Sequence, residues 1–304
     1  SFLIVNWNTK EFLIKCVQSI YENVPLDISF EVIIVDNNST DESVSAIKAR
    51  FPQCVVLQNR FNIGFAAANN QAIRTSSGEY LALINSDVEI LSGTIQALFR
   101  VMNKDNGIAI CGPLIINPDG TPQLSSRPRY FPSLWRLLLQ ALGLAKFFPS
   151  ILYVFSDRTK HVEILSGCFW MIRKKRLTTI GLLDENFFMY GEDIDWCKRF
   201  MDNGYPPLYV PEVSAIHYGG GSSKRAPTYF FLEMQKANLK LWRKHFSSFQ
   251  YFFTVSIFVI NHTIRFIVNF LLRFLLFQKG SFYSNKFKRH WLSIRLLRAI
   301  NRIS

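Results

Sequence analysis

Four short apolar runs, at residues 2–5, 30–36, 55–58 and 80–84, recur through the first part of the chain, separated by segments of a different period. Residues 10–22 carry Phe12, Leu13, Cys16, Val17 and Ile20 at helical spacing, Ser39 or Thr40 stands where it could cap a helix running to Arg50, and residues 65–75 are rich in Ala and Asn. A short continuous apolar run reads as a strand buried on both faces. Repetition of strand, helix and strand then implies an α/β fold with a mainly parallel sheet and helices on both sides. Ligands of such sheets bind beyond the carboxyl ends of the strands. Asp36, Asn62 and Asp87 each follow one of these runs, so they are expected on one rim.

The remainder is less periodic. Residues 113–160 contain the turn Pro118-Asp119-Gly120 and an apolar, helix-like insert at 128–149. Strand-rich stretches are expected at 161–172, 208–210 and 213–218, with an acidic helix between the first two and no internal repeat. At 304 residues the chain can bury a full core and form one large domain or one and a half. Its five cysteines (Cys16, Cys54, Cys111, Cys168 and Cys197) are scattered, odd in number and without a Cys-x-x-Cys pair. That pattern argues against a disulfide framework or structural zinc and fits a reducing compartment. No signal peptide is expected, because residues 2–5 are already strand-like, and a few residues are expected to precede Ser1.

Charge is distributed unevenly. The last acidic residue is Glu233, and thirteen Lys and Arg follow it, from Lys236 to Arg302. The other 22 basic residues balance the 22 acidic ones, so the net charge of +13 belongs entirely to the tail. Residues 251–277 are almost continuously apolar, yet His262, Arg265, Asn269 and Arg273 recur at steps of three and four, which gathers them into one stripe of a helix. A charged residue at mid-bilayer costs at least about 2.5 kcal/mol. The expectation is therefore an in-plane amphipathic helix followed by a basic segment drawn to an anionic membrane surface. A core helix packed on the main domain is the alternative. The apolar content argues against a nucleic-acid partner.

The stretch Phe187-Phe188-Met189-Tyr190-Gly191-Glu192-Asp193-Ile194-Asp195-Trp196 sets three carboxylates within four positions among large apolar side chains. If a helix starts here, Glu192 and Asp193 point about 100° apart, and the helix N-terminus favours their ionised forms. Simple N-terminal capping would account for them. The second acidic signal, Asn85-Ser86-Asp87, falls where a buried strand should end and favours a site.

The ordered set Ile4-Val5-Asn6-Trp7-Asn8, Val32-Ile33-Ile34-Val35-Asp36-Asn37-Asn38-Ser39, Asn62-Ile63-Gly64-Phe65, Asn85-Ser86-Asp87 and Gly191-Glu192-Asp193 resembles the family 2 glycosyltransferases, inverting enzymes of the GT-A fold, and most of all their rhamnosyltransferase-like branch. The resemblance runs from Phe2 to about Ser223. It implies a GT-A catalytic domain over residues 1–245, with a donor half at about 1–112 and an acceptor half at about 113–245, and a membrane-associated segment at 246–304. It implies that Asp36 hydrogen-bonds the base of a nucleotide-sugar, with Val5, Asn8, Asn38, Asn62, Gly64, Asn85 and Ser86 around the donor. Gly64 would permit close backbone approach. Asp87 matches the last position of the family's Asp-x-Asp motif, Asn85 replaces its first carboxylate, and His217 aligns with a late histidine that can complete a Mg²⁺ or Mn²⁺ site. Asp193 matches the general base, with Glu192 orienting the acceptor. Gly167 and Trp170 match the acceptor-side segment, Trp170 either stacking on a sugar or packing in the core. Asp195 is expected as a first-turn helix charge, and Arg199 as a phosphate contact or a surface charge.

The implied activity is inverting transfer of a sugar, L-rhamnose from dTDP-rhamnose or another sugar from a UDP donor, to a lipid-linked bacterial glycan at the cytoplasmic face of the membrane. Three other readings compete. A dinucleotide-dependent oxidoreductase would show Gly-x-Gly-x-x-Gly after the first strand, and none is present. A nucleotidyltransferase would show a Gly-rich basic loop near the start, where Val5-Asn6-Trp7-Asn8-Thr9 stands. A non-catalytic glycan- or membrane-binding relative would not need Asp36, Asp87 and Asp193 on one rim.

Overall fold

The computed structural model describes residues 1–219, 226–275 and 280–300, and their side chains outside 273–285, 287 and 298–300. Gly220 to Ser223 at the end of the matched span, the Arg273 side chain of the polar stripe, and Lys279, Arg298 and Arg302 of the basic tail lie outside what is described. The chain divides into two compact units, Ser1–Phe131 with Tyr153–Arg225, and Pro132–Leu152 with Ala226–Ser304.

The first unit is built on a nine-stranded mixed sheet: β1 (Phe2–Asn6), β2 (Val32–Asp36), β3 (Val55–Gln58), β4 (Tyr80–Asn85), β5 (Val88–Ile90), β6 (Ile110–Ile116), β7 (Lys160–His161), β8 (Phe169–Arg173) and β9 (Leu208–His217). The order is β3-β2-β1-β4-β8-β6-β9-β5, with β7 also paired to β9. β1 to β4 are the four expected parallel strands, whereas β8 runs antiparallel between β4 and β6. The two strands expected at 208–210 and 213–218 are one strand, β9, whose register against β6 shifts between Pro113 and Leu114. Alternate residues of the central strands enter opposite cores. Ile4, Ile34 and Ile84 pack with α1 (Lys10–Asn23), α2 (Ser43–Arg50) and α4 (Thr94–Lys104). Leu3, Ile33 and Leu83 pack with α3 (Phe65–Thr75), α6 (Leu177–Ile180) and α7 (Glu192–Asp202). Burial on both faces explains why these strands read as unbroken apolar runs.

Neither Ser39 nor Thr40 caps α2. The helix starts at Ser43 behind Glu42, which holds a left-handed φ of 62°, and Ser39 and Thr40 instead bond to Asp36, Asn6 and Asn8. Short polar side chains in a turn can satisfy neighbouring backbone as readily as a helix end.

In the second unit, α5 (Leu134–Ala141) comes from the apolar insert and packs with α9 (Ser248–Leu275), which also packs against α8 (Pro227–His245) and α10 (Gly280–Ile300). Residues 226–245, expected as part of the catalytic domain, form α8 of this unit. By length and composition Ser248–Leu272 could cross a membrane, and only 11% of its most apolar stretch is buried in protein. Of its polar stripe, His262 is buried and bonded to His290 and Gln235 while Arg265 is exposed, and the neighbouring Asn261 donates to Ala141 O. Ile260, Ile264, Ile267 and Leu271 are exposed.

Gly64 shows how a turn before α3 is locked. Its φ is +90°, and an added Cβ would lie 2.5 Å from Phe188 O, the carbonyl that accepts from Phe65 N. The close approach that this glycine permits is to the chain's own backbone at Phe188. Gly64→Ala therefore combines a disfavoured backbone conformation with a backbone clash. It should cost roughly 2–4 kcal/mol in urea unfolding, and a loss under about 0.5 kcal/mol would mean that the turn relaxes freely.

Candidate active site

Parallel pairing sets Asn6 opposite Asp36 and Val5 opposite Asn85, so the ends of three adjacent strands share one rim. Polar residues there are buried and satisfy one another. Asn6 donates from Nδ2 to Asp36 Oδ2 at 2.7 Å and to Ser39 Oγ at 3.0 Å, while Ser39 N donates to Asp36 Oδ1 at 2.8 Å. Thr9 donates to Asn6 Oδ1 and lies 2.8 Å from Ser86 Oγ, which carries the network across to the end of β4. Asp36 is only 2% exposed. Each of its oxygens accepts one protein hydrogen bond and keeps a lone pair. Asn8, with a left-handed φ of 56°, accepts from Thr40 N, and Asn38, with φ 66°, is exposed beside it. Asn62 Oδ1 accepts from Gly64 N, so it shapes the turn into α3. Val5 is half-buried.

Asp87 follows β4 and is met by the end of β9. His217 Nε2 lies 3.2 Å from Asp87 Oδ1, and its Nδ1 lies 2.6 Å from Gln123 Oε1 and 3.6 Å from Cys168 Sγ. Burial opposes charge on this ring, but Cys168 and Asp87 together hold its pKa up to about 10. Burial likewise opposes ionisation of Cys168, while the His217 charge and hydrogen bonds from its neighbours bring the thiol below its usual range. The buried Oδ1 of Asn85 has no hydrogen-bond partner. A carboxylate, an imidazole and an orphaned carbonyl oxygen suit a hard divalent cation whose other ligands are substrate phosphates and water. Among the described residues no three His, Cys, Asp or Glu side chains form a self-sufficient metal cluster.

The acidic segment resolves its three carboxylates in three ways. Tyr190 and Gly191 both take left-handed φ, 68° and 82°, and turn the chain into α7. Positive φ at a tyrosine is strained and marks a position that the surroundings impose. Asp195 is fully buried and paired at 2.9 Å with Arg199, which also donates to Ile180 O. Arg199 is thereby a structural clamp between α7 and the end of α6, neither a phosphate contact nor a plain surface charge. Asp193 accepts from Arg129 Nη2 at 2.6 Å through Oδ2 and from Ile194 N at 2.9 Å through Oδ1. Glu192 is buried with an unpartnered Oε2. Burial, reinforced by the Asp193 charge, raises its pKa to about 8, so it is a neutral acid at neutral pH.

Gly167 and Cys168 join these two halves. A Cβ on Gly167 would lie 3.6 Å from Asp193 Cβ, while Cys168 contacts His217. Trp170 is 0% exposed and packs edge-on against Trp196, so it has no face to offer a sugar and belongs to the core. The sequence reading missed Arg129, whose backbone pairs with Ile164 in an isolated bridge, and Gln123. No motif marks either. The proline before Arg129 hints only at an extended backbone.

Comparison with known proteins adds the following. The family described as "Glycosyl transferase family 2" matches residues 1–181. The chain is 30% identical over 214 residues to an N-acetylglucosaminyl-diphospho-decaprenol L-rhamnosyltransferase of Mycobacterium tuberculosis, covering 64% of this chain and 69% of that one. It is 23% identical over 210 residues to rhamnosyltransferase WbbL of Escherichia coli, covering 66% and 78%. A solved structure, GalNAc-T7 with UDP, GalNAc and Mn²⁺, superposes with a TM-score of 0.58 at 18% identity, covering 80% of this chain and 47% of that one. The fold is therefore that of GT-A proteins.

Glu192 yields a stability test. Its ordinary pKa is 4.5, and the folded state keeps the proton to about 8. A raised carboxyl pKa means that the folded form binds more protons than the unfolded form between those values, so this residue destabilises progressively as pH rises from 4.5 to 8. Glu192→Gln mimics the neutral acid. Its melting temperature relative to wild type should rise by roughly 5–10 °C between pH 5 and pH 8.5. A pH-independent difference would place an ionised carboxylate at Glu192.

Proposed function

Because the chain belongs to glycosyl transferase family 2 and is a glycosyltransferase, we propose that it transfers a sugar, best taken as L-rhamnose from dTDP-rhamnose, with inversion at the anomeric carbon onto a lipid-linked bacterial glycan at the cytoplasmic face of the membrane. One observation carries the reading. Consecutive residues Gly167 and Cys168 touch the Asp193 and His217 ends of the site, which supports a reacting centre between a base and a diphosphate-binding group. The donor's pyrimidine would sit toward Asp36, Asn8 and Asn38, and its diphosphate toward Asn85 and Asp87. The rhamnosyl and lipid-diphosphate words in the Mycobacterium tuberculosis relative's name support the sugar and the acceptor class.

Asp193 would take the acceptor hydroxyl's proton as that oxygen attacks the anomeric carbon, while the bond to the departing diphosphate breaks on the opposite face. Arg129 aims this carboxylate, and Ile194 N holds its other oxygen. Glu192, neutral, could donate a hydrogen bond to the acceptor. Asp87, His217 and Asn85 would hold the cation, which when bound neutralises charge on the leaving diphosphate. A second reading is favoured by the high His217 pKa. Here the imidazolium itself, anchored to Asp87, faces the diphosphate and needs no metal. Donor turnover in EDTA separates the two.

Asp193→Asn should bind donor normally and lower kcat by about 10²–10⁴. Near-wild-type turnover would remove Asp193 from the base role. Arg129→Ala should lower kcat roughly 10–100-fold with donor Kd unchanged, and Arg129→Lys should recover part of the loss; a change in donor Kd alone would assign Arg129 to the nucleotide. Because His217 must lose its proton to bind metal, Mn²⁺ affinity measured with dTDP present should rise toward about tenfold per pH unit between pH 6 and 9. A flat profile would exclude His217 as a ligand.

A further inference from the structure

The second unit has a severe charge imbalance. Its segments, 132–152 and 226–304, contain one acidic residue, Glu233, against fifteen Lys and Arg. Glu233 is already paired with Lys236 at 2.6 Å. Three of the cations converge elsewhere. Arg265 on α9, with Lys286 and Arg289 on α10, lines a cavity of about 440 Å³ together with Asn269, His290 and Phe231. The two guanidinium groups are steered by neutral oxygens: Arg265 Nε donates to Asn261 Oδ1 at 2.8 Å, and Arg289 Nε donates to Thr228 Oγ1 at 3.2 Å. His290 lies 2.9 Å from His262 through their Nδ1 atoms. One ring must donate and the other accept, so at least one of the pair is neutral and both are fixed in place.

Arg265 and Arg289 repel across one cavity, and Glu233, the one acidic side chain of this unit, is bound to Lys236. An external anion would offset the two guanidinium groups, which match the oxygens of a phosphate group carrying more than one charge. The rest of the lining selects its source. Ile264, Val268 and Leu272 complete the cavity wall, and Ile264 and Val268 continue into an exposed apolar stripe with Ile267 and Leu271 along α9. A free phosphate would have no use for that stripe, whereas an acyl or isoprenoid chain would cover it.

We propose that the cavity between α8, α9 and α10 binds the phosphomonoester or diphosphate head of a membrane lipid, with the lipid chain lying along the Ile264, Ile267, Val268 and Leu271 stripe. This is a built headgroup site, beyond the diffuse attraction of a basic tail to an anionic surface. It does not depend on the sugar donor or on the chemistry assigned to Asp193.

The test is flotation of the full chain with phosphatidylcholine vesicles containing phosphatidic acid, against vesicles brought to the same zeta potential with phosphatidylglycerol. Wild type should bind the phosphatidic acid vesicles roughly tenfold more tightly, the scale of one additional charge-assisted hydrogen bond. Arg265→Gln with Arg289→Gln should erase that preference and leave binding to phosphatidylglycerol vesicles within about twofold, as expected when only one or two of many charges change. Lys240→Gln with Lys244→Gln, outside the cavity, should keep it. Equal binding to both vesicles, or a preference retained without the two arginines, overturns the proposal. So does a preference lost equally in the Lys240 and Lys244 variant, which would mean diffuse charge. Release of wild type from phosphatidic acid vesicles by low inorganic pyrophosphate would identify a free-phosphate site and overturn the lipid assignment. Should the double arginine variant lose its helical circular dichroism, the exposed Lys286→Gln carries the same comparison.

Discussion

β8 hydrogen-bonds to β4 on one side and to β6 on the other, and it can do so only by running against both. That insertion closes the distance between the nucleotide-like half, built on parallel β1 to β4, and the half that supplies α7 and β9. It also sets the segment before β8 across the rim, where Cys168 O accepts from Asn85 N. Gly167 and Cys168 then stand between Asp193 and His217. Displace this strand and the base candidate and the diphosphate-binding candidate no longer share a site.

Electrostatics within the site follow from burial acting on groups that differ by one or two positions. Asp195, with no exposed surface, is paired with Arg199. Asp193 is partly open and shares its charge with Arg129. Glu192 has neither solvent nor a cation of its own and so holds its proton. Three carboxylates in four positions thereby take three environments: one in a buried ion pair, one partly open beside Arg129 and one buried and neutral. On the other side, His217 gains charge from Asp87 and Cys168. A divalent cation held by this imidazole would have to displace its proton.

The tail follows a different logic. Its helices pack through polar contacts of His262 and Asn261, and they leave apolar side chains outward. Water is a poor solvent for that arrangement, and a membrane interface is a good one. Positive charge concentrated in the same unit has the same preference.

The amino-acid sequence by itself determined the four parallel strands and their helices, and it set Asp36 and Asp87 at strand ends. Those features depend on local periodicity and on where apolar runs end. The acidic turn was equally visible, as was the confinement of the excess charge to the tail. Tertiary structure alone decided what each group does. The antiparallel entry of β8 joins residues about 90 positions apart in sequence and leaves no local signature. Arg129 reaches Asp193 across 64 positions, and Gln123 reaches His217 across 94. Trp170 looked available to a sugar until the packing of Trp196 closed over it. Gly64 looked shaped for a ligand until Phe188 took the space. Protonation followed the same rule: the charge of Glu192 depends on how much water the fold removes and which cation it supplies, and neither quantity is encoded by neighbours along the chain.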